Sequence, residues 1–252
     1  MKRPFGQHFL FDPNILKKII ACSGVTKEDT VVEIGPGLGT LTKFLSFYAK
    51  KIIAIEIDRR LIEKLEGILA PCSNVELIQA DAMKFPYDTI EGNFRVVANI
   101  PYYITTPLLF RLLEFKEKVT GMTLLMQKEV AKRITASHGS KDYGVLSISA
   151  QYHTKPELKF MVSRRAFVPP PEVDSAVVHF DVSHLPLFPV VDERLFFDIV
   201  KAAFSQRRKT VLNSLKKFEG IGHALSASGI DPKQRPEKLS IEDFTRLANA
   251  LK

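Results

Sequence analysis

Four oxygen-bearing side chains, Glu33, Glu56, Asp81 and Asn99, each stand at or beside the end of an apolar, β-branched run. The first directly precedes Gly35-Pro36-Gly37-Leu38-Gly39, a turn in which glycines allow a left-handed backbone and a close approach to a ligand. A carboxylate at Glu56 can accept from both hydroxyls of a ribose, and one at Asp81 from an adenine amino group. A dinucleotide fingerprint would need Gly at 40 or 42, where both residues are threonine, and no P-loop sequence occurs. Glu33 would repel a pyrophosphate; it suits a ligand carrying an ammonium and a sulfonium, which points to S-adenosylmethionine. A G-x-G-x-G turn also joins a strand to a helix where no ligand binds. The three further acceptors, falling on one sheet edge, favour the ligand.

Asn99-Ile100-Pro101-Tyr102 suggests what such a cofactor would act on. An exocyclic adenine amine is a poor nucleophile because its lone pair is delocalised into the ring. Accepting both of its N–H hydrogens, from the Asn99 side-chain oxygen and the Ile100 carbonyl, favours a pyramidal nitrogen with its lone pair facing an incoming methyl group. Pro101 stiffens the loop and biases Ile100 towards an extended conformation. Tyr102 offers a ring for a base that has left its helix. Phe167, ahead of Val168-Pro169-Pro170-Pro171, is a candidate for the opposite face of that base, or else a core aromatic before a rigid loop.

These residues need a parallel sheet to gather them. Strands are expected at Thr30–Ile34, Lys51–Glu56, Val75–Gln79, Phe94–Ala98 and Gly121–Met126, alternating with helices. Asp12-Pro13 is an N-cap followed by a first-turn proline, and that helix should stop near Gly24. Extended runs at Leu158–Val162 and Ser175–Phe180 should close the sheet as an antiparallel edge hairpin. The pattern predicts an α/β fold. After Leu185-Pro186-Leu187-Phe188-Pro189 only helical periodicity remains, at 195–204, 210–218, 223–227 and 241–251. A catalytic domain over 1–185, with an N-terminal arm over 1–11, and a small helical domain over 190–252 are therefore expected.

The 252 residues carry a net charge of +8, which suits a polyanionic partner such as nucleic acid. Between Lys201 and Lys217 lie six basic residues (Lys201, Arg207, Arg208, Lys209, Lys216, Lys217) and no acid, which reads as a stripe on one helical segment. Such a stripe would position phosphates rather than read bases. Lys128, Lys132, Arg133, Arg164 and Arg165 are further basic candidates. Cys22 and Cys72 lack metal-ligand spacing, so no metal is expected. No apolar run reaches the ~18 residues of a membrane span, and no signal-peptide pattern opens the chain. A monomer in a reducing cytoplasm is the default expectation.

The chain resembles the rRNA adenine N6-dimethyltransferases, and among them the bacterial small-subunit branch, over essentially its whole length. The resemblance rests on Gly6-Gln7-His8-Phe9-Leu10, on Glu33 to Gly39, on Glu56-Ile57-Asp58, on Ala80-Asp81-Ala82, on Asn99 to Tyr102, on Phe167 to Ser175, and on Phe204 to Thr210. It implies a Rossmann-like, class I S-adenosylmethionine-dependent methyltransferase sheet with a small C-terminal all-helical domain. It implies cofactor contacts at His8, Leu10, Gly35, Glu56, Asp81 and Asn99, and Gly37 belongs to the same loop. It implies a target-adenine site at Asn99, Ile100, Pro101, Tyr102 and Phe167. Many members carry Asn where this chain has His8. The implied substrate is two adjacent adenines in the 3′-terminal hairpin of 16S rRNA, presented on a 30S assembly intermediate. The rival expectations are a large-subunit resistance-type methylase and an assembly or transcription factor on the same fold.

Overall fold

The computed structural model describes residues 8–182, 187–206 and 208–252. Gly6 and Gln7 of the arm, Leu185 and Pro186 of the expected linker, and Arg207 lie outside the described residues.

A short strand β1 (Phe9–Leu10) leads into helix α1 (Pro13–Ser23). Asp12 caps α1 by accepting from Asn14 N, and Gly24 ends it in the left-handed conformation. Then follow β2 (Thr30–Ile34), α2 (Thr40–Ser46), β3 (Lys51–Glu56), α3 (Arg59–Leu69), β4 (Val75–Gln79), β5 (Phe94–Asn99), α4 (Thr105–Leu113), β6 (Val119–Gln127) and α5 (Lys128–Ile134). Next come α6 (Val145–Gln151), β7 (Thr154–Val162), β8 (Phe167–Val168) and β9 (Ser175–Val182). The main sheet has seven strands in the order β4-β3-β2-β5-β6-β9-β7. β4, β3, β2, β5 and β6 pair in parallel, and β9 is antiparallel to β6. The fold is α/β with a Rossmann-like sheet.

The residues explain this order. β2, β3 and β9 are nearly continuous apolar runs, buried along almost their whole length, as strands covered on both faces must be. β4 lies at one edge, with Glu76 and Gln79 exposed and its apolar side chains only partly buried. β7 begins four residues earlier than its apolar pattern, through Pro156; the opposite edge tolerates a residue with no N–H to give. The chain reverses direction across the sheet between β2 and β5, and a crevice opens at their carboxyl ends.

A two-stranded ribbon stands apart from this sheet. β1 pairs antiparallel with β8 in the register Phe9↔Val168 and Leu10↔Phe167. The arm is thereby attached to the segment ahead of the proline run.

The chain divides into two compact units, 1–131 with 155–184, and 132–154 with 185–252. Residues 132–154 thus join the helical unit, which differs from a boundary placed at residue 185. The reason is apolar burial: Ala136, Tyr143, Ile148 and Tyr152 share a core with Phe196, Ile199, Val200, Leu215 and Phe244. The helices of this unit after residue 187 are α7 (Glu193–Phe204), α8 (Val211–Leu215), α9 (Ile221–Ala227) and α10 (Ile241–Ala250). The basic stripe is not one helix. α7 ends at Phe204, Thr210 caps a new helix by accepting from Asn213 N, and Lys216 and Lys217 follow α8. Arg208, Lys209, Lys216 and Lys217 are all exposed, with the Lys217 ammonium 5.0 Å from the Phe218 ring.

Candidate active site

The glycine turn is built by two hydrogen bonds, Gly35 N to the Ile55 carbonyl at 2.9 Å and Gly39 N to the Pro36 carbonyl at 2.8 Å. Gly37 has φ +61°, which disfavours any other residue, and a Cβ there would sit 2.9 Å from the Phe9 ring. Glycine at 37 is therefore needed twice, for its backbone and to admit the arm. Beside this turn lies a cavity of about 270 Å³ at the carboxyl edge of the sheet.

His8, Leu10, Gly35, Gly37, Glu56, Asp81, Asn99, Ile100, Pro101 and Tyr102 all line the cavity, as does Glu33. The Glu56 carboxylate is held by the chain's own backbone. Its Oε1 accepts from Ile57 N and Asp58 N, both at 2.9 Å, and its Oε2 from Gly37 N at 3.4 Å. Burial raises its pKa, and these N–H donors work against that rise. Asp81 Oδ1 accepts from Met83 N at 2.9 Å, which fixes its turn at the end of β4.

Glu33 is different. It is 1% exposed, and its Oε2 has no hydrogen-bond partner. Burial pushes its pKa up to about 8; the nearby Thr42 hydroxyl opposes this, and the Glu56 carboxylate adds to it. A buried carboxyl that lacks a partner is expensive to ionise unless a cation arrives.

Asn99 ends β5 with its Nδ2 donating to the His8 carbonyl at 3.1 Å. A carbonyl can only accept, so the amide nitrogen faces the arm and Oδ1 remains the acceptor for another group. Tyr102 is half-buried, its hydroxyl 2.6 Å from Ser175 Oγ and its ring stacked against that of His8 with centroids 5.9 Å apart. Burial raises the Tyr102 phenol, the Ser175 hydroxyl lowers it and Asp174 raises it further.

The structure does not bring Phe167 to this cavity. It is 2% exposed in a core cluster with Leu10, Leu16, Ile19 and Val177. Alternation along β8 decides this: Phe167 turns inward and Val168 turns out, 59% exposed. Its place is that of a core aromatic before a rigid loop.

Tyr103 was missed by sequence reasoning. It lines the cavity, is 60% exposed, and its phenol is raised by burial and by the Asp81 and Glu56 carboxylates. The signal available was a doubled aromatic immediately after Asn99-Ile100-Pro101. Ser175 gave no signal, because only the antiparallel return of β9 beside β6 brings it to Tyr102.

The model of the family described as ribosomal RNA adenine dimethylase matches residues 1–252. The Ribosomal RNA small subunit methyltransferase A of Bacillus mycoides is 46% identical, with 99% of this chain and 91% of the relative covered. The protein of that name from Bacillus cytotoxicus has the same identity and coverage. Among solved structures, a dimethyladenosine transferase from Plasmodium falciparum is 30% identical with a TM-score of 0.79, covering 95% of this chain and 96% of that one. The 23S rRNA methyltransferase ErmE is 26% identical with a TM-score of 0.79, covering 96% and 99%. A whole-length match to the family model and near-complete coverage of close relatives lead to one conclusion: this chain belongs to the ribosomal RNA adenine dimethylase family.

Proposed function

We propose that the protein dimethylates N6 of two adjacent adenosines in the 3′-terminal hairpin of 16S rRNA, using S-adenosylmethionine, during small-subunit biogenesis. The observation that carries this reading is the single cavity shared by Glu33, Glu56, Asp81, Asn99 and Tyr102. The groups fit a cationic nucleoside: an orphaned buried carboxyl oxygen at Glu33, a backbone-anchored carboxylate at Glu56 and a turn-anchored one at Asp81. Glu56 would take the ribose hydroxyls, Asp81 the adenine amine, and Glu33 the positive charge. When bound, S-adenosylmethionine supplies an electrophilic methyl group on sulfur.

The chain's own groups prepare the nucleophile. Asn99 Oδ1 and the Ile100 carbonyl accept the two N–H hydrogens of a flipped adenine, turning the nitrogen lone pair out of conjugation. Tyr102 stacks on the base and must leave room for a first methyl group, since N6-methyladenine is the second substrate. No general base is required before transfer, because methylation itself acidifies the amine. The exposed Arg208, Lys209, Lys216 and Lys217, with Arg207, would grip phosphates on the helical unit, and Arg164 and Arg165 on the catalytic unit.

Small-subunit specificity is supported by 46% identity to relatives named for that subunit, against 26% to the 23S enzyme. The test is mass spectrometry of ribosomal RNA incubated with enzyme and cofactor. Two dimethyladenosines in the small-subunit hairpin are expected, and none with Asn99→Ala. A methylated large-subunit adenine with an unmodified small subunit would instead make this a resistance-type enzyme. Normal subunit assembly in an Asn99→Ala strain, with defective assembly in a strain lacking the protein, would reveal an assembly role independent of methylation; equal assembly in both would leave that role little weight.

A further inference from the structure

The turn that carries Asp81 is gripped from behind by a residue that does not line the cavity. Asp81, Ala82 and Met83 line it in succession, and a single peptide unit joins Ala82 to Met83. Both polar ends of that unit are held. Its N–H, on Met83, donates to Asp81 Oδ1 at 2.9 Å, and its carbonyl, on Ala82, accepts from the Tyr87 hydroxyl at 3.0 Å. A peptide unit is planar, so fixing the carbonyl also aims the N–H. The hydroxyl is itself well fixed. Tyr87 is fully buried, its ring centroid 5.1 Å from that of Phe85, 6.1 Å from Phe94 at the start of β5 and 5.3 Å from Phe115 after α4. The chain on either side is tied down as well, by Arg111 donating to the Phe85 carbonyl at 3.3 Å and Lys118 to the Asp88 carbonyl at 2.6 Å.

We propose that Tyr87 is a positioning residue for recognition of the cofactor's adenine, acting through Asp81. Its hydroxyl sets the plane of the Ala82–Met83 peptide, the Met83 N–H then holds Asp81 Oδ1, and Oδ2 is the oxygen turned to the adenine amine. The proposal rests on the assignment of Asp81 to that amine made above, and adds what makes the assignment selective. A carboxylate free to swing can meet donors from many directions. One whose first oxygen is already engaged accepts along the direction that remains, and a support behind it keeps that direction constant. Without the Tyr87 hydroxyl the peptide is free to rotate, and the second oxygen of Asp81 loses its aim.

The test compares, by calorimetry on the full chain, S-adenosylhomocysteine with its analogue carrying hydrogen in place of the 6-amino group. The parent should prefer the amino form by about tenfold or more, the worth of a hydrogen bond to a charged acceptor. Tyr87→Phe removes one buried oxygen and keeps the ring. It should bind the amino form about five- to tenfold more weakly, and the analogue within about twofold of the parent. Equal weakening towards both ligands would make Tyr87 a support of the fold alone, and no weakening would make its hydroxyl idle; either overturns the proposal. Asp81→Ala separates the proposal from the reading beneath it. That variant should lose the preference, and adding Tyr87→Phe to it should change the preference no further. A preference that survives Asp81→Ala refutes the adenine assignment of Asp81, whereas one lost in Asp81→Ala and intact in Tyr87→Phe refutes the role of Tyr87 by itself. A measurement on the unaltered protein holds even if Tyr87→Phe fails to fold. Deuterium exchange of the Met83 amide, followed by NMR without ligand, should be slowed by about a hundredfold or more relative to an unstructured chain. Exchange at the unstructured rate would refute the gripped peptide.

Discussion

Replacing Glu33 with glutamine should separate what this carboxyl does for the cofactor from what it costs the fold. Its folded pKa is raised from the ordinary 4.5 to about 8, chiefly because the side chain is buried with one oxygen unpartnered. Below pH 4.5 the carboxyl is protonated in both folded and unfolded chains, and its ionisation carries no penalty. Between the two values the folded protein keeps a proton that the unfolded chain has released, so stability falls as pH rises. The slope is about 1.4 kcal/mol per pH unit, or roughly 4 kcal/mol between pH 5 and pH 8. Glu33→Gln retains the shape and neutrality of the protonated form and abolishes the titration. Its extra amide donors add a cost that does not change with pH, so the informative quantity is how the difference between the two proteins changes with pH. Urea unfolding at pH 5 and pH 8 should show the variant gaining several kcal/mol on the parent over that interval. The same substitution should weaken S-adenosylmethionine binding, because a neutral amide cannot ionise to meet a cation. Stability and affinity therefore move in opposite directions. A stability difference identical at both pH values would show that Glu33 does not titrate as its burial requires.

Gly37→Ala should lose about 1–2 kcal/mol from its left-handed backbone alone, and more because the new Cβ meets the Phe9 ring; thermal unfolding and cofactor calorimetry should both register it. Unchanged values in both would mean that the arm does not pack on the glycine turn. Glu56→Ala should weaken cofactor binding by about 1–3 kcal/mol, with RNA affinity nearly intact, since the lost bonds are to a charged acceptor. Equal affinity for the cofactor would remove the ribose assignment. Reversing Arg207 and Arg208 to Glu should weaken subunit binding and flatten its salt dependence, and an unaltered salt slope would take both arginines out of the interface.

Much of the catalytic unit was legible because its signals are local. Val and Ile runs fixed β2, β3 and β5, Asp12-Pro13 and Gly24 bounded α1, and the glycines after Glu33 marked the turn to α2. Parallel strands end on one edge, so their order of residues alone places Glu56, Asp81 and Asn99 together. Reading the six basic residues as a stripe on one helical segment conflicted with the break already expected between 204 and 210, and the structure keeps that break, with Thr210 capping a new helix. Residues 132–154 precede the expected boundary at 185, yet Ala136, Tyr143, Ile148 and Tyr152 pack into the core of the helical unit, a long-range grouping that local pattern does not encode.

What residue order determined by itself was the α/β sheet, the acceptors on its carboxyl edge and the chemistry they suit, since each follows from side-chain type and short-range periodicity. Tertiary structure decided the rest. Pairing of β1 with β8 sent Phe167 into the core and drew His8 to Asn99 and Tyr102, and the return of β9 supplied Ser175. These contacts join positions 73 to 161 residues apart, and no local pattern encodes a meeting that depends on how distant strands align.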